Sequence, residues 1–166
     1  MFDIDQIVVK KDTGVYLIVG KENIDLGLGL QEYLVLKPYF RTNKGSTYLP
    51  SNKADEFLRY LISKEEAEDV IKSIPSLERF WINDPKQRKT EFDRLAKTGD
   101  LKNYCLVIKS IYLQAEDLRQ NRKMLSTNDR NIYDKLKNAI NEELSLVLEM
   151  KLEDVEPHII SIVDKK

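Results

Sequence analysis

The sequence predicts an α+β protein in which a small, strongly bent β-sheet or barrel precedes a compact all-helical domain. Three observations predict it. In the first fifty residues, short runs rich in Val, Ile, Leu and Tyr alternate with turn-forming residues. Beyond residue 60, Ser and Asp stand where helix N-caps belong, ahead of apolar residues spaced by three and four. Pro50 separates the two patterns, because a residue without a backbone N–H stops a strand ladder.

The expected strands are "QIVVK" (6–10), "GVYLIVGK" (14–21), "EYLVLKPY" (32–39) and "STYLP" (46–50), divided by "KDTG", "DLGLG" and "RTNKG". An isolated hairpin is marginal in water, so strands this short must close on one another. In the helical part, Ser63 with Glu66 forms a capping box ahead of "EEAEDVIKSI", which ends near Pro75. Asp84 caps the next helix, with Pro85 at its first position, where the missing donor costs nothing. Gly99 stops that helix, and Asp100 starts another whose buried stripe is Leu101, Cys105, Ile108, Tyr112 and Ala115. In the last long helix, Ser126 and Asp129 form a further capping box, and Ile132, Leu136, Ala139, Ile140, Leu144 and Val147 supply the inner face. The expected division is 1–60 and 61–166.

With 42% hydrophobic composition, the 166 residues can bury a sizeable core. One cysteine, Cys105, and one histidine, His158, offer neither a disulfide framework nor a Cys/His zinc site. The start resembles neither a signal peptide nor a membrane span, which predicts a cytoplasmic protein with no membrane association. Cys105 reads as a small core residue, and His158, beside Pro157, as structural or exposed. "GLGLQ" (27–31) lacks the lysine and spacing of a phosphate loop and reads as a turn approaching another backbone. No positioned acid–base or nucleophilic set is present, so no enzyme and no cofactor are expected.

The net charge of −1 conceals an uneven distribution. Residues 78–138 carry 14 basic and 9 acidic side chains, between acidic flanks, which is a modest electrostatic footprint for a polyanion. Within it stands "FWINDPKQRKTEF" (80–92), holding the only tryptophan. Arg79, Lys86, Arg88, Lys89, Arg94 and Lys97 lie close by, and Lys86, Lys89 and Lys97 can share part of one helix surface. Such side chains could follow a phosphate backbone while an exposed Trp81 wedges at a base step. On composition alone the stronger reading makes Trp81 a core or interface residue and the charges a solvated face.

Several strings in order give the chain a resemblance to the CarD/CdnL family of bacterial RNA polymerase-binding transcription regulators, over roughly residues 1–150. They are "FDIDQIVVKKDTGVYLIV" with Gly14, "EYLVLK" (32–37), "STYLP" (46–50), and Arg59 and Leu61 in "LRYL". Trp81, Arg88, "GD" (99–100), "LS" (125–126) and "AINEEL" (139–144) follow. The resemblance implies a Tudor-like N-terminal domain that binds the polymerase β subunit, here near the edge formed by Tyr33, Val35, Lys37, Thr47 and Leu49. It also implies a helical domain contacting promoter DNA near the upstream edge of the transcription bubble. Trp81 would enter the minor groove and help hold the open complex, and Arg88, with Lys86, Lys89, Arg94 and Lys97, would position it or meet phosphate. The implied protein is a monomer in isolation, associated with the nucleoid through polymerase. The competing expectation is an interaction module that pairs through a sheet edge, with Trp81 packed inside the second domain.

Overall fold

In the computed structural model, which describes residues 1–41 and 43–163, a five-stranded antiparallel sheet is followed by a helical region. Thr42 of the "RTNKG" turn and the last three residues of the expected helical domain lie outside the described residues. The strands are β1 (Ile7–Lys10), β2 (Gly14–Asp25), β3 (Leu30–Pro38), β4 (Thr47–Pro50) and β5 (Leu58–Tyr60), in the spatial order β4-β3-β2-β1-β5. All neighbours run antiparallel, and β4 and β5 are the two edges. A register shift between Ile18 and Gly20 leaves Val19 as a bulge, which bends β2 and lets it serve both neighbours. Val8, Tyr16, Ile18, Leu34, Leu36, Leu49 and Leu58 form the core of this module.

β5 is an element that the sequence reading did not resolve. Its three residues follow a single helical turn, α1 (Ala54–Phe57), and become a strand by pairing with Val8, Val9 and Lys10 of β1. That is tertiary context overriding weak local preference. Leu58 then points into the sheet core, while Arg59 points to the opposite face, toward the helices.

The helices are α2 (Lys64–Ser73), α3 (Pro85–Lys97), α4 (Leu101–Gln120), α5 (Thr127–Val147) and α6 (Leu152–Val163). Each predicted N-cap residue accepts from its helix, while the acids of the two expected capping boxes, Glu66 and Asp129, accept from the Ser63 and Ser126 hydroxyls in place of the cap backbone N–H. Ser63 accepts from Glu66 N, Asp84 from Gln87 N, Asp100 from Lys102 N and Ser126 from Asp129 N. Phe92, Leu101, Tyr104, Val107, Ile111, Leu136, Ile140, Leu144 and Val155 are among the residues of their shared core. None of the described helices is long and apolar enough to cross a membrane.

Two expectations are corrected, and α6 is a helix beyond those expected. The buried arc of α4 is centred on Tyr104, Val107 and Ile111 together with Leu101 and Cys105, and Tyr112 is exposed. Contacts with α3 on one side and α5 on the other widen the buried arc beyond a single stripe. α6 contains Pro157, and the helix continues through it because Glu153, whose carbonyl loses its partner, is exposed and can be hydrated. Finally, Gly27 and Gly29 approach nothing: a Cβ at either position would meet open space. Their φ values of +101° and +96° are what call for glycine.

The two modules are joined by buried polar contacts from adjacent residues of α5. Glu143 receives a bidentate ion pair from Arg59 at 2.6 and 2.7 Å and also accepts from Ile62 N at 2.9 Å. Glu142 accepts from Val15 N at 3.0 Å and stands 3.4 Å from Arg41 Nε. Asp12 N donates to the Tyr104 hydroxyl at 2.6 Å, and Arg59 Nε donates to the Gly99 carbonyl at 2.8 Å. Close packing explains two glycines here: a Cβ on Gly14 would collide with the Glu142 carboxylate, and one on Gly99 with Lys11.

Candidate nucleic-acid interface

Trp81 belongs to the extended segment between α2 and α3, and three separate contacts hold that segment. Phe80 N donates to Ser110 Oγ of α4 at 3.1 Å. Below it, Lys109 Nζ donates to the carbonyls of Ile74, Pro75 and Leu77, bracing the backbone where it leaves α2. On the other side, Asp84 and Pro85 start α3 and place Arg88 one turn in.

Arg88 is the centre of the site. Its side chain is buried, with Nε 3.0 Å and Nη2 2.9 Å from the two carboxylate oxygens of Asp129. Nη1 donates to the carbonyl of Ile82 at 2.9 Å. The guanidinium carbon lies 4.4 Å from the centroid of the Trp81 ring, a cation–π geometry worth roughly 0.5–2 kcal/mol depending on desolvation. Asp129 is itself fixed: Ser126 Oγ donates to its carboxylate at 2.8 Å while accepting from its backbone N–H. Ser126, Asp129, Arg88 and Trp81 thus form one chain of contacts from the start of α5 to the indole.

The indole also meets the fully buried Phe92 edge to face, with centroids 6.0 Å apart, and Phe80 packs on the same ring at 5.5 Å. Trp81 is half-buried and packed against the helical core. It is neither the free-standing wedge nor the enclosed anchor that the sequence left as alternatives. The indole is a mounted ring, backed by protein and partly open to solvent.

The predicted basic residues divide into three kinds. Arg88 is buried, with its donors directed at Asp129 and the Ile82 carbonyl, so the geometry leaves it positioning Trp81 and removes it from phosphate contact. Lys89 pairs with Asp93 at 2.7 Å and Arg94 with Glu91 at 2.6 Å, both on the exposed surface of α3. Arg94 is raised and Glu91 lowered from their ordinary pKa values by that hydrogen bond. Lys86 and Lys97 are exposed and have no ion-pair partner among the described residues. Arg79, at the other side of Trp81, is paired with Asp117 at 3.0 Å. Arg130, next to Asp129 and exposed, is a basic group the sequence reading did not single out.

In the sheet module the five expected contact residues do not share a face. Tyr33 and Val35 are opposite Pro50 and Tyr48, whereas Leu49 is opposite Leu34 and lies in the core. Tyr33, Val35 and Leu49 are buried, Thr47 is half-buried, and Lys37 alone is exposed. β3 is an interior strand, so of the two expected contact strands β4 alone lies at a sheet edge, where the exposed side chain is Tyr48. Alternating residues of two paired strands go to opposite faces in step, and the pairing register was needed to assign them.

Other chemistry is sparse. Burial pushes the Cys105 thiol up to about 12, which keeps it protonated and unreactive at neutral pH. No group of three or more His, Cys, Asp or Glu is placed to hold a metal ion among the described residues.

A family model described as CarD, C-terminal domain, matches residues 77–160, half of the chain, a span that contains Trp81, Arg88, Phe92 and Asp129. No curated protein matches the chain.

Proposed function

Because the chain belongs to the CarD family of transcription regulators, we propose that it binds the RNA polymerase β subunit through its sheet module and promoter DNA through its helical module. In that role it stabilises the open promoter complex. The observation that carries this reading is the mounting of Trp81. A half-buried indole backed by Arg88 and Phe92 is held at a fixed angle, which is what an apolar wedge at a minor-groove base step requires. Lys86 and Lys97 supply uncommitted charge on the following helix, with Lys89 and Arg94 as partly neutralised neighbours. Contacts of this kind read little base identity, so sequence preference should be weak.

For the polymerase side, the supporting feature is the free edge of β4, a short strand able to extend a partner's sheet by backbone pairing. The test compares Trp81→Ala with the unchanged protein on a promoter whose bubble is intrinsically unstable. Binding to the isolated β-subunit lobe should be retained and the lifetime of the open complex should fall. Equal lifetimes with retained binding would leave the second reading, a polymerase- or protein-binding module in which Trp81 serves packing alone. The contact of Trp81 with Phe92 is the observation favouring that alternative.

A further inference from the structure

The β2–β3 hairpin runs past the rest of the sheet. β4 pairs with β3 only from Tyr33 to Leu36, whereas β2 and β3 stay paired to Asp25 and Leu30. Three more residues at ~3.3 Å each carry the hairpin roughly 10 Å beyond the last β3–β4 pair, before its turn begins. The tip is apolar: Leu26, Leu28 and Leu30 are 72%, 98% and 75% exposed. It is also ordered, because Asp25 Oδ1 accepts from both Gly27 N at 2.8 Å and Gly29 N at 3.1 Å. A soluble domain gains nothing for its own fold from three bare leucines on a braced turn.

The surroundings narrow the occupant. Between residues 22 and 32 the charged residues are Glu22, Asp25 and Glu32, with no lysine or arginine. That acidic collar disfavours nucleic acid and anionic lipid surfaces, which attract basic segments. A second copy would bring an equal acidic collar against this one. Three leucines offer at most about 400 Å² of apolar surface, well short of the ~800 Å² that each side of a standard interface contributes. A prong of this size gains most when a concave surface encloses it.

We propose that the leucine tip of the β2–β3 hairpin is a docking prong that seats in an apolar, basic-rimmed cleft of the protein that meets the β4 edge. Under the reading above, on which this inference rests, that protein is RNA polymerase. The prong continues the line of β3 beyond β4, so a partner strand laid along β4 brings its own surface toward the tip. The free sheet edge then supplies backbone pairing, and the prong supplies the apolar anchor that backbone pairing lacks.

The test is binding of the full chain to purified cognate RNA polymerase, using the triple variant Leu26→Ser, Leu28→Ser, Leu30→Ser. The three leucines are exposed and stand outside both core clusters, so thermal unfolding should match the unchanged protein, and affinity should fall at least about tenfold. A photo-crosslinking residue at Leu28 should join the tip to the polymerase. Equal affinity of the triple variant, with the unchanged protein binding, overturns the prong and leaves the polymerase reading standing. Failure of the unchanged protein to bind removes that reading and the prong together. A dimer in sedimentation that the triple variant dissolves assigns the tip to a second copy and also overturns the proposal.

Discussion

The guanidinium of Arg88 lies 4.4 Å over the Trp81 ring while its Nε and Nη2 edge is spent on Asp129, so a buried ion pair forms the mount of a partly buried aromatic. The arrangement makes Trp81 sensitive to residues that never reach the surface.

Removing one partner of that pair should be worse than removing both. Arg88→Met strands the Asp129 carboxylate inside the protein and Asp129→Leu strands the Arg88 guanidinium, and each should cost about 3–5 kcal/mol, because breaking a buried pair leaves an uncompensated charge. The double change Arg88→Met with Asp129→Leu should recover much of the loss. Urea unfolding of the four proteins gives the coupling energy, and additive losses would remove the pair as a stabilising unit.

Trp81→Ala should be milder than truncation of an enclosed tryptophan. The ring is half-buried, so a loss of about 1–3 kcal/mol is expected, below the ~3–5 kcal/mol of a full core site. Trp81→Phe should preserve most of the stability and still shorten open-complex lifetime. Chemical denaturation and open-complex decay on the same preparations separate the two effects.

Charge removal on α3 should not act uniformly. Lys86→Gln with Lys97→Gln should reduce the slope of log affinity against log salt on promoter DNA by about one to two units, since each phosphate contact contributes roughly 0.9. Lys89→Gln and Arg94→Gln should change it less, because Asp93 and Glu91 already offset those cations. Identical slopes for the two pairs would mean that the intrahelical ion pairs open on binding.

Acid should act on the joint between the modules through Glu142. Burial raises this carboxyl above its ordinary value, against the opposing effects of the Val15 N–H and Arg41. A raised folded-state pKa means the folded protein binds the proton more tightly than the unfolded chain. The contribution is therefore favourable below the unfolded-chain value of about 4.5 and lost as pH rises through the folded-state pKa. Glu142→Gln should thus gain stability relative to the unchanged protein at neutral pH, and the advantage should shrink as pH falls toward 4.5. Thermal unfolding at successive pH values follows the difference.

Much of this architecture could be read from local signals. Ser63, Asp84, Asp100 and Ser126 each announced a helix start because a cap acts within three residues. β5 could not be read this way, since Leu58–Tyr60 is a strand only by virtue of Val8, fifty residues away. The same limit applies to Arg88. Its charge suggested a phosphate contact, but its counter-ion stands 41 residues later and was legible only as a cap residue. Glu143 did carry a signal, for it falls seven residues after Leu136 and three after Ile140, on the apolar side of α5. An acid on that face implies a buried cation, and Arg59 is that cation.

The joint built from Glu142, Glu143, Arg59 and Tyr104 also has a statistical consequence for any pair of partners held by the two modules. A slack tether would dilute the second contact over every orientation its linker allows. A hydrogen-bonded joint confines that search, so once one module is engaged the other meets its target at a high effective concentration if the spacing matches, and gains little if it does not. Two individually weak contacts can then hold a complex together, and the protein measures the distance between its partners as well as their chemistry.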